Sequence, residues 1–215
     1  MNAIRAMPAD QFDDAGQQQT AATLGIWVFL ATEILFFGVL FASYTICRIH
    51  FPGGFAEASR RTDMLLGTIE TAVLLTSSAL VALAVRDIRL GGRRTGAWLL
   101  LATAALGCVF LILHGIEYVA EYREHLVPAL DFNYTGAHPH AVEMFFYLYY
   151  VITGFHGLHV TVGVCVLVTM ALRTWRGAFD PGYHTPLEIT ALYWHLVDIV
   201  WIFVYPLIYL VGRAA

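Results

Sequence analysis

The sequence predicts an all-α, polytopic membrane protein with five transmembrane helices, and three observations predict it. The 215 residues are 59% hydrophobic, with a mean hydropathy of +0.66. Only 13% are charged, where a soluble domain carries roughly a quarter. There is no lysine, so the 12 fixed positive charges are all arginine, and their grouping leaves five long apolar intervals without one.

Each interval can cross a hydrocarbon core, which takes about 20 helical residues at a rise of about 1.5 Å. Runs this long and continuously apolar must be helices in lipid, because membrane strands alternate in polarity and are only about ten residues long. Residues 1–22 read as a polar tail with Asp10, Asp13 and Asp14. The tail has no apolar core of a cleavable signal peptide, so the first helix serves as its own insertion signal. The transmembrane domain then runs over 23–215, with spans near 23–46, 64–85, 97–120, 142–172 and 188–212.

The first span stops short of Arg48. The second, between Arg61 and Arg86, carries Gly67, Thr71, Thr76, Ser77, Ser78 and Ala79, small residues that let helices approach. The third follows a turn of Gly91, Gly92, Arg93 and Arg94. The fourth exceeds what a bilayer needs. It either tilts or protrudes with Tyr147, Tyr149 and Tyr150 in the headgroup layer, and Gly154, Gly157 and Gly163 give it close-packing positions. The fifth contains Pro206, the one proline inside a span.

Arginine placement suggests an orientation. Arg5, Arg86, Arg89, Arg93, Arg94, Arg173 and Arg176 fall on one side and outnumber Arg48, Arg60, Arg61, Arg123 and Arg213 on the other. The richer side is cytoplasmic by the positive-inside rule, which places the N-terminus inside and the C-terminus outside a cell (inner) membrane. The loop from Glu121 to Ala141 contrasts with the Arg86–Arg94 turn, holding Glu121, Glu124, Asp131, His125, His138 and His140 against a single Arg.

Several function classes are excluded. A net charge of −4 argues against nucleic acid. The three cysteines, Cys47, Cys108 and Cys165, lie in or beside apolar runs and read as small buried hydrophobes. No phosphate-binding glycine loop, HExxH or GxSxG marks an ATPase, zinc protease or serine hydrolase. No internal repeat is visible.

Function is sought in the few ionisable residues inside the spans, each of which costs about 2.5 to 3.5 kcal/mol at the bilayer centre on insertion scales. They are Glu33, Glu70, His114, Glu117, His156, His159, His195 and Asp198. Glu33 has no charged neighbour one turn away, so it is either neutral or paired with another helix. Glu70 reads as a polar packing contact near a helix end, and His114 with Glu117 as a local i, i+3 pair. His156 and His159 share a helix face, as do His195 and Asp198, and the two faces are expected to meet. A metal or haem site would use these imidazoles. An interhelical network fits better, with Asp198 accepting from His195, because no carboxylate-bridged Glu-x-x-His or Cys pair accompanies them.

Four stretches resemble one family, subunit III of the haem-copper respiratory oxidases, in its short bacterial form. They are Trp27 to Phe37 (WVFLATEILFF), Glu117-Tyr118, Thr153 to Val160 (TGFHGLHV) and Tyr193 to Trp201 (YWHLVDIVW). The residues they bring into the family pattern are Glu33, Glu117, His156, His159, Trp194, His195 and Asp198. Larger members have seven helices, and this sequence is similar to the last five. Glu33 matches the family's membrane-buried, carbodiimide-reactive carboxylate, whereas His114 stands where other members often carry Gln.

The resemblance implies a non-catalytic subunit with no catalytic residue, no metal and no haem or copper of its own. The redox chemistry, four-electron reduction of dioxygen coupled to proton pumping, would belong to subunits I and II. This chain would stabilise subunit I, hold structural phospholipid, support proton uptake and protect the active site during turnover. Whether the electron donor is cytochrome c or a quinol is decided on other chains. Two other readings compete. An accessory subunit of nitric oxide reductase shares the helix motifs. A small proton-coupled transporter would also bury Glu33 and Asp198, but calls for broken helices and a repeat.

Overall fold

The structure is a computed structural model that describes residues 12–179 and 181–212. Arg5, Asp10 and Arg213 lie outside the described residues. The chain forms α1 (Ala15–His50), α2 (Pro52–Ser59), α3 (Met64–Arg89), α4 (Arg93–Arg123), a hairpin of β1 (Leu126–Val127) and β2 (Asp131–Phe132), α5 (Pro139–Trp175) and α6 (Thr185–Tyr205). A π-helical turn, Pro206–Leu210, continues α6. Five of these helices, with the last counted through Leu210, are long and apolar enough to cross a membrane.

The helices outrun the apolar intervals because local chemistry sets their ends. Asp14 accepts from the Gln17 N–H while Gln17 accepts from the Asp13 N–H, a reciprocal cap that starts α1 inside the polar tail. Asp63 caps α3 by accepting from Leu65 and Leu66. α3 stops at Gly91 with φ of 90°, where the Gly91 N–H bonds to Ile88 and the Gly92 N–H to Asp87. α5 ends the same way at Gly177, whose φ is 83°. A side chain at either glycine would be strained in this left-handed conformation.

Pro206 brings no N–H to α6, and the backbone relaxes into the π turn. Neighbouring elements cap carbonyls of this last turn and of Gly212 just beyond it. The Tyr44 hydroxyl donates to Leu207, the Ser59 hydroxyl to Ile208 and Arg60 Nε to Gly212, at 2.6, 2.7 and 2.9 Å. The short helix α2, which hydropathy does not reveal, and Arg60 at its end thus bind the last described turn.

α3, α4, α5 and α6 make the bundle core around Val81, Ile88, Phe110, Tyr149, Trp194 and Trp201. α1 lies outside it. Its buried residues are Leu30, Phe37 and Tyr44, a seven-residue stripe, while Leu24, Trp27, Leu35 and Val39 are exposed. The Arg89–Glu188 ion pair gathers the α3–α4 and α5–α6 connections at one end. At the other, Glu57 accepts from Tyr134 and pairs with His138, joining α2 to the segment before α5. The alternation of ends used for the arginine count is therefore present in the fold. Of the glycines expected to allow close approach in α5, only Gly163 abuts another helix. A Cβ at Gly157 would meet nothing within 4 Å, and at Gly154 only the Tyr118 hydroxyl at 3.8 Å.

Candidate functional site

The polar residues inside the bundle fall into three groups. The first joins α1 to α5. His159 Nε2 lies 3.0 Å from Glu33 Oε2, and its Nδ1 lies 2.7 Å from the Phe155 carbonyl. A carbonyl can only accept, so Nδ1 carries a hydrogen. The Nε2–Oε2 bond then holds one proton, either as a carboxylic acid donating to neutral imidazole or as an imidazolium donating to carboxylate. Phe37 packs edge-on against the ring, and the Tyr193 hydroxyl donates to the His159 carbonyl.

The second group is the seam between α3 and α6. Trp201 Nε1 donates to Thr71 Oγ1, Trp194 Nε1 to Ser77 Oγ, and His195 Nδ1 bonds Ser78 Oγ at 3.1, 2.9 and 2.7 Å. Trp194 and Trp201 lie seven residues apart on α6 and their acceptors Ser77 and Thr71 six apart on α3, in opposite order along the two chains, as antiparallel packing requires. Trp194 is fully buried. Gly107 of α4 and Gly163 of α5 receive its ring, and a Cβ at either would stand 2.7 or 2.8 Å from it.

The third group lies at the end of the bundle away from the Arg86–Arg94 turn. Glu70 of α3 and His114 and Glu117 of α4 are buried together, with His114 Nδ1 3.6 Å from an oxygen of each carboxylate. The Tyr209 hydroxyl donates to Glu117 Oε2 at 2.6 Å. Glu121, one turn beyond Glu117, is buried too.

These groupings correct the sequence reading in three places. The faces of His156/His159 and His195/Asp198 do not meet. His159 turns to α1, His195 turns to α3, and His156 is closed between Phe110 and Trp201 at ring distances of 5.4 and 5.0 Å. Asp198 is not the acceptor of His195. The Ser78 hydroxyl reaches Nδ1 from the facing helix and also approaches the buried Asp198 carboxylate, which makes no hydrogen bond among the described residues. Glu70 and the His114/Glu117 pair are not separate local contacts but one cluster across two helices.

Glu121, Ser78 and Tyr209 were missed as participants. Glu121 was legible, since it repeats Glu117 four residues on along one face. Tyr209 gave no signal, because only the π turn brings it over Glu117.

Outside the spans, the Tyr134 hydroxyl and then His138 hold the Glu57 carboxyl below its usual range. The same bond to Glu57 raises the Tyr134 phenol.

All three groups lie within residues 13–213, which match a family model described as cytochrome c oxidase subunit III. The chain belongs to that family. A cytochrome c oxidase subunit 3 of Thermostichus vulcanus is 32% identical over 207 residues, 94% of this chain and 92% of the relative. A quinol oxidase subunit 3 of Bacillus subtilis (strain 168) is 29% identical over 189 residues, covering 88% and 86% of the two chains. A probable quinol oxidase subunit 3 of Staphylococcus epidermidis is 28% identical over 208 residues, covering 95% and 96%. Cytochrome c and quinol oxidases thus both occur among the relatives. As a subunit III, the chain is a multi-pass membrane protein and an accessory subunit of a haem-copper oxidase, a family without redox cofactors of its own. The nitric oxide reductase and transporter readings are not favoured by these matches.

Proposed function

We propose that this chain packs against subunit I of its oxidase in the cell membrane, with subunit II and the other subunits completing the complex. There it binds phospholipid and supports proton uptake while leaving the redox chemistry to its partners. In this orientation the Arg86–Arg94 turn faces the cytoplasm and the C-terminus faces outward, because that end concentrates the arginines.

A groove between α3 and α6 carries the lipid part of the reading. It encloses about 560 Å³ between apolar walls that include Val85, Leu90 and Leu192, with Arg86 and Arg89 among its lining residues. Apolar walls with cationic groups at a helix end suit an acyl chain and an anionic headgroup. Arg89 is already held by Glu188, so Arg86 is the guanidinium that a phosphate would recruit. The Glu33–His159 pair supports a part in proton handling, because it keeps one proton between two titratable groups at the edge of an apolar bundle.

Purification of the complex through a tag on this chain tests the reading. Subunit I and its haem spectrum should co-purify, and Arg86→Ala should lower the phospholipid retained per complex. Recovery of the chain without a haem-copper partner, or lipid content unchanged in Arg86→Ala, would count against it.

A further inference from the structure

The cluster of Glu70, His114 and Glu117 is not explained by packing. Glu70 is fully buried and both of its carboxylate oxygens have no hydrogen-bond partner among the described residues. The same is true of both ring nitrogens of His114 and of Glu117 Oε1. Buried polar atoms are satisfied in nearly all folded proteins, and a group left unsatisfied costs about 1 to 3 kcal/mol, more when charged. Three neighbouring side chains carrying this cost together point to something that binds all of them.

The distances identify its class. His114 Nδ1 stands 3.6 Å from Glu70 Oε1 and 3.6 Å from Glu117 Oε2. This is beyond an N–H···O hydrogen bond of about 2.7 to 3.2 Å. It is close to the spacing of about 3.4 Å between two ligands of one tetrahedral metal at about 2.1 Å from each. The three candidate ligand atoms lie within 4.8 Å of one another. Charge agrees as well, because two carboxylates around a divalent cation sum to zero and leave no net charge in the low-dielectric interior.

We propose that Glu70, His114 and Glu117 bind one divalent transition-metal cation of the zinc class. One imidazole nitrogen and two carboxylate oxygens suit such an ion, whereas calcium and magnesium prefer shells of oxygen alone. Tyr209 orients the site by donating to Glu117 Oε2 at 2.6 Å, as groups behind metal ligands do. A cavity of about 450 Å³ adjoins the cluster at Glu117 and gives the ion a way in, with Asp63, Glu121 and Glu124 as well as Arg61 among its lining residues. This departs from the expectation that the chain holds no metal, and it does not depend on the lipid or proton reading above.

Equilibrium dialysis of the untagged full-length chain in detergent against Zn²⁺, with metal counted by mass spectrometry, tests it. A parallel titration with Co²⁺ should give the visible bands of a tetrahedral ion. The wild-type chain should retain one zinc per chain, and Glu70→Gln and His114→Gln should each lose it while eluting monodisperse. Tyr209→Phe should keep the stoichiometry with affinity weakened about tenfold, and Glu33→Gln should bind as wild type does. No stoichiometric zinc in the wild-type chain, or zinc retained unchanged in Glu70→Gln and His114→Gln, would overturn the proposal. If both ligand variants fail to fold, an unchanged affinity in well-folded Tyr209→Phe would overturn it instead.

Discussion

The Glu33–His159 bond ties α1 to the bundle, and a double-mutant cycle measures what it contributes. Among the described residues of α1 only Leu30, Phe37 and Tyr44 are buried, so little else holds it at this level. Interhelical hydrogen bonds in membrane proteins average about 0.6 kcal/mol and reach about 1.7. At 3.0 Å, with side chains 18% and 17% exposed, this one should fall above that average. We expect a coupling energy of about 1 kcal/mol, a roughly fivefold change in the unfolding equilibrium constant. Glu33→Met and His159→Phe, singly and together, remove the bond while keeping bulk. Reversible unfolding of the chain in mixed micelles, followed by tryptophan fluorescence, reads the cycle. Each single variant should lose more than the coupling energy, because it strands the other polar group in an apolar setting. A coupling energy indistinguishable from zero would refute the bond. Glu33→Gln leaves an amide donor facing His159 Nε2, so assembly of the oxidase should survive it with small effects on activity.

Other substitutions separate the remaining contacts. Ser78→Ala should cost about 1 kcal/mol in the same unfolding assay by taking the partner of His195, whereas Asp198→Ala should leave the His195 NMR signals in place. Gly163→Val should destabilise by about 1 to 3 kcal/mol, since its Cβ would meet a Trp194 ring that Ser77 and Gly107 hold in place; a melting temperature at or above wild type would contradict the clamp. Glu57 has a lowered pKa in the folded chain, so the contact it makes contributes above the ordinary value of 4.5 and is lost as pH falls through its folded pKa. Hydrogen-exchange protection factors over residues 126–138, corrected for the intrinsic pH dependence of exchange, should therefore fall with acid in the wild type and be flat with pH in Glu57→Gln.

The membrane fold was legible because lipid leaves the backbone few choices. Five apolar runs between arginines read directly as five spans. Their ends were less so, since Asp14, Asp63, Gly91 and Gly177 set them through caps that hydropathy does not register. The polar residues could be singled out one at a time, because each is costly in lipid. Their partners could not be assigned, because spacing along one helix says which face a residue shares and nothing about the helix opposite. So Asp198 looked like the partner of His195 while Ser78, small and common, was the group in reach. Glu70 and Glu117 lie far apart in sequence, and only the antiparallel packing of α3 on α4 makes them one cluster. The position of Tyr209 depends on a π turn that Pro206 permits without fully dictating.

The account holds above all that this chain works as an accessory subunit whose buried imidazoles bind no haem. The visible spectrum of the purified chain, set beside that of the complex it pulls down, tests this most directly. The isolated chain should show no Soret band, and the complex should show the haem bands of subunit I. A Soret band in the isolated chain that disappears in His195→Ala would contradict the account.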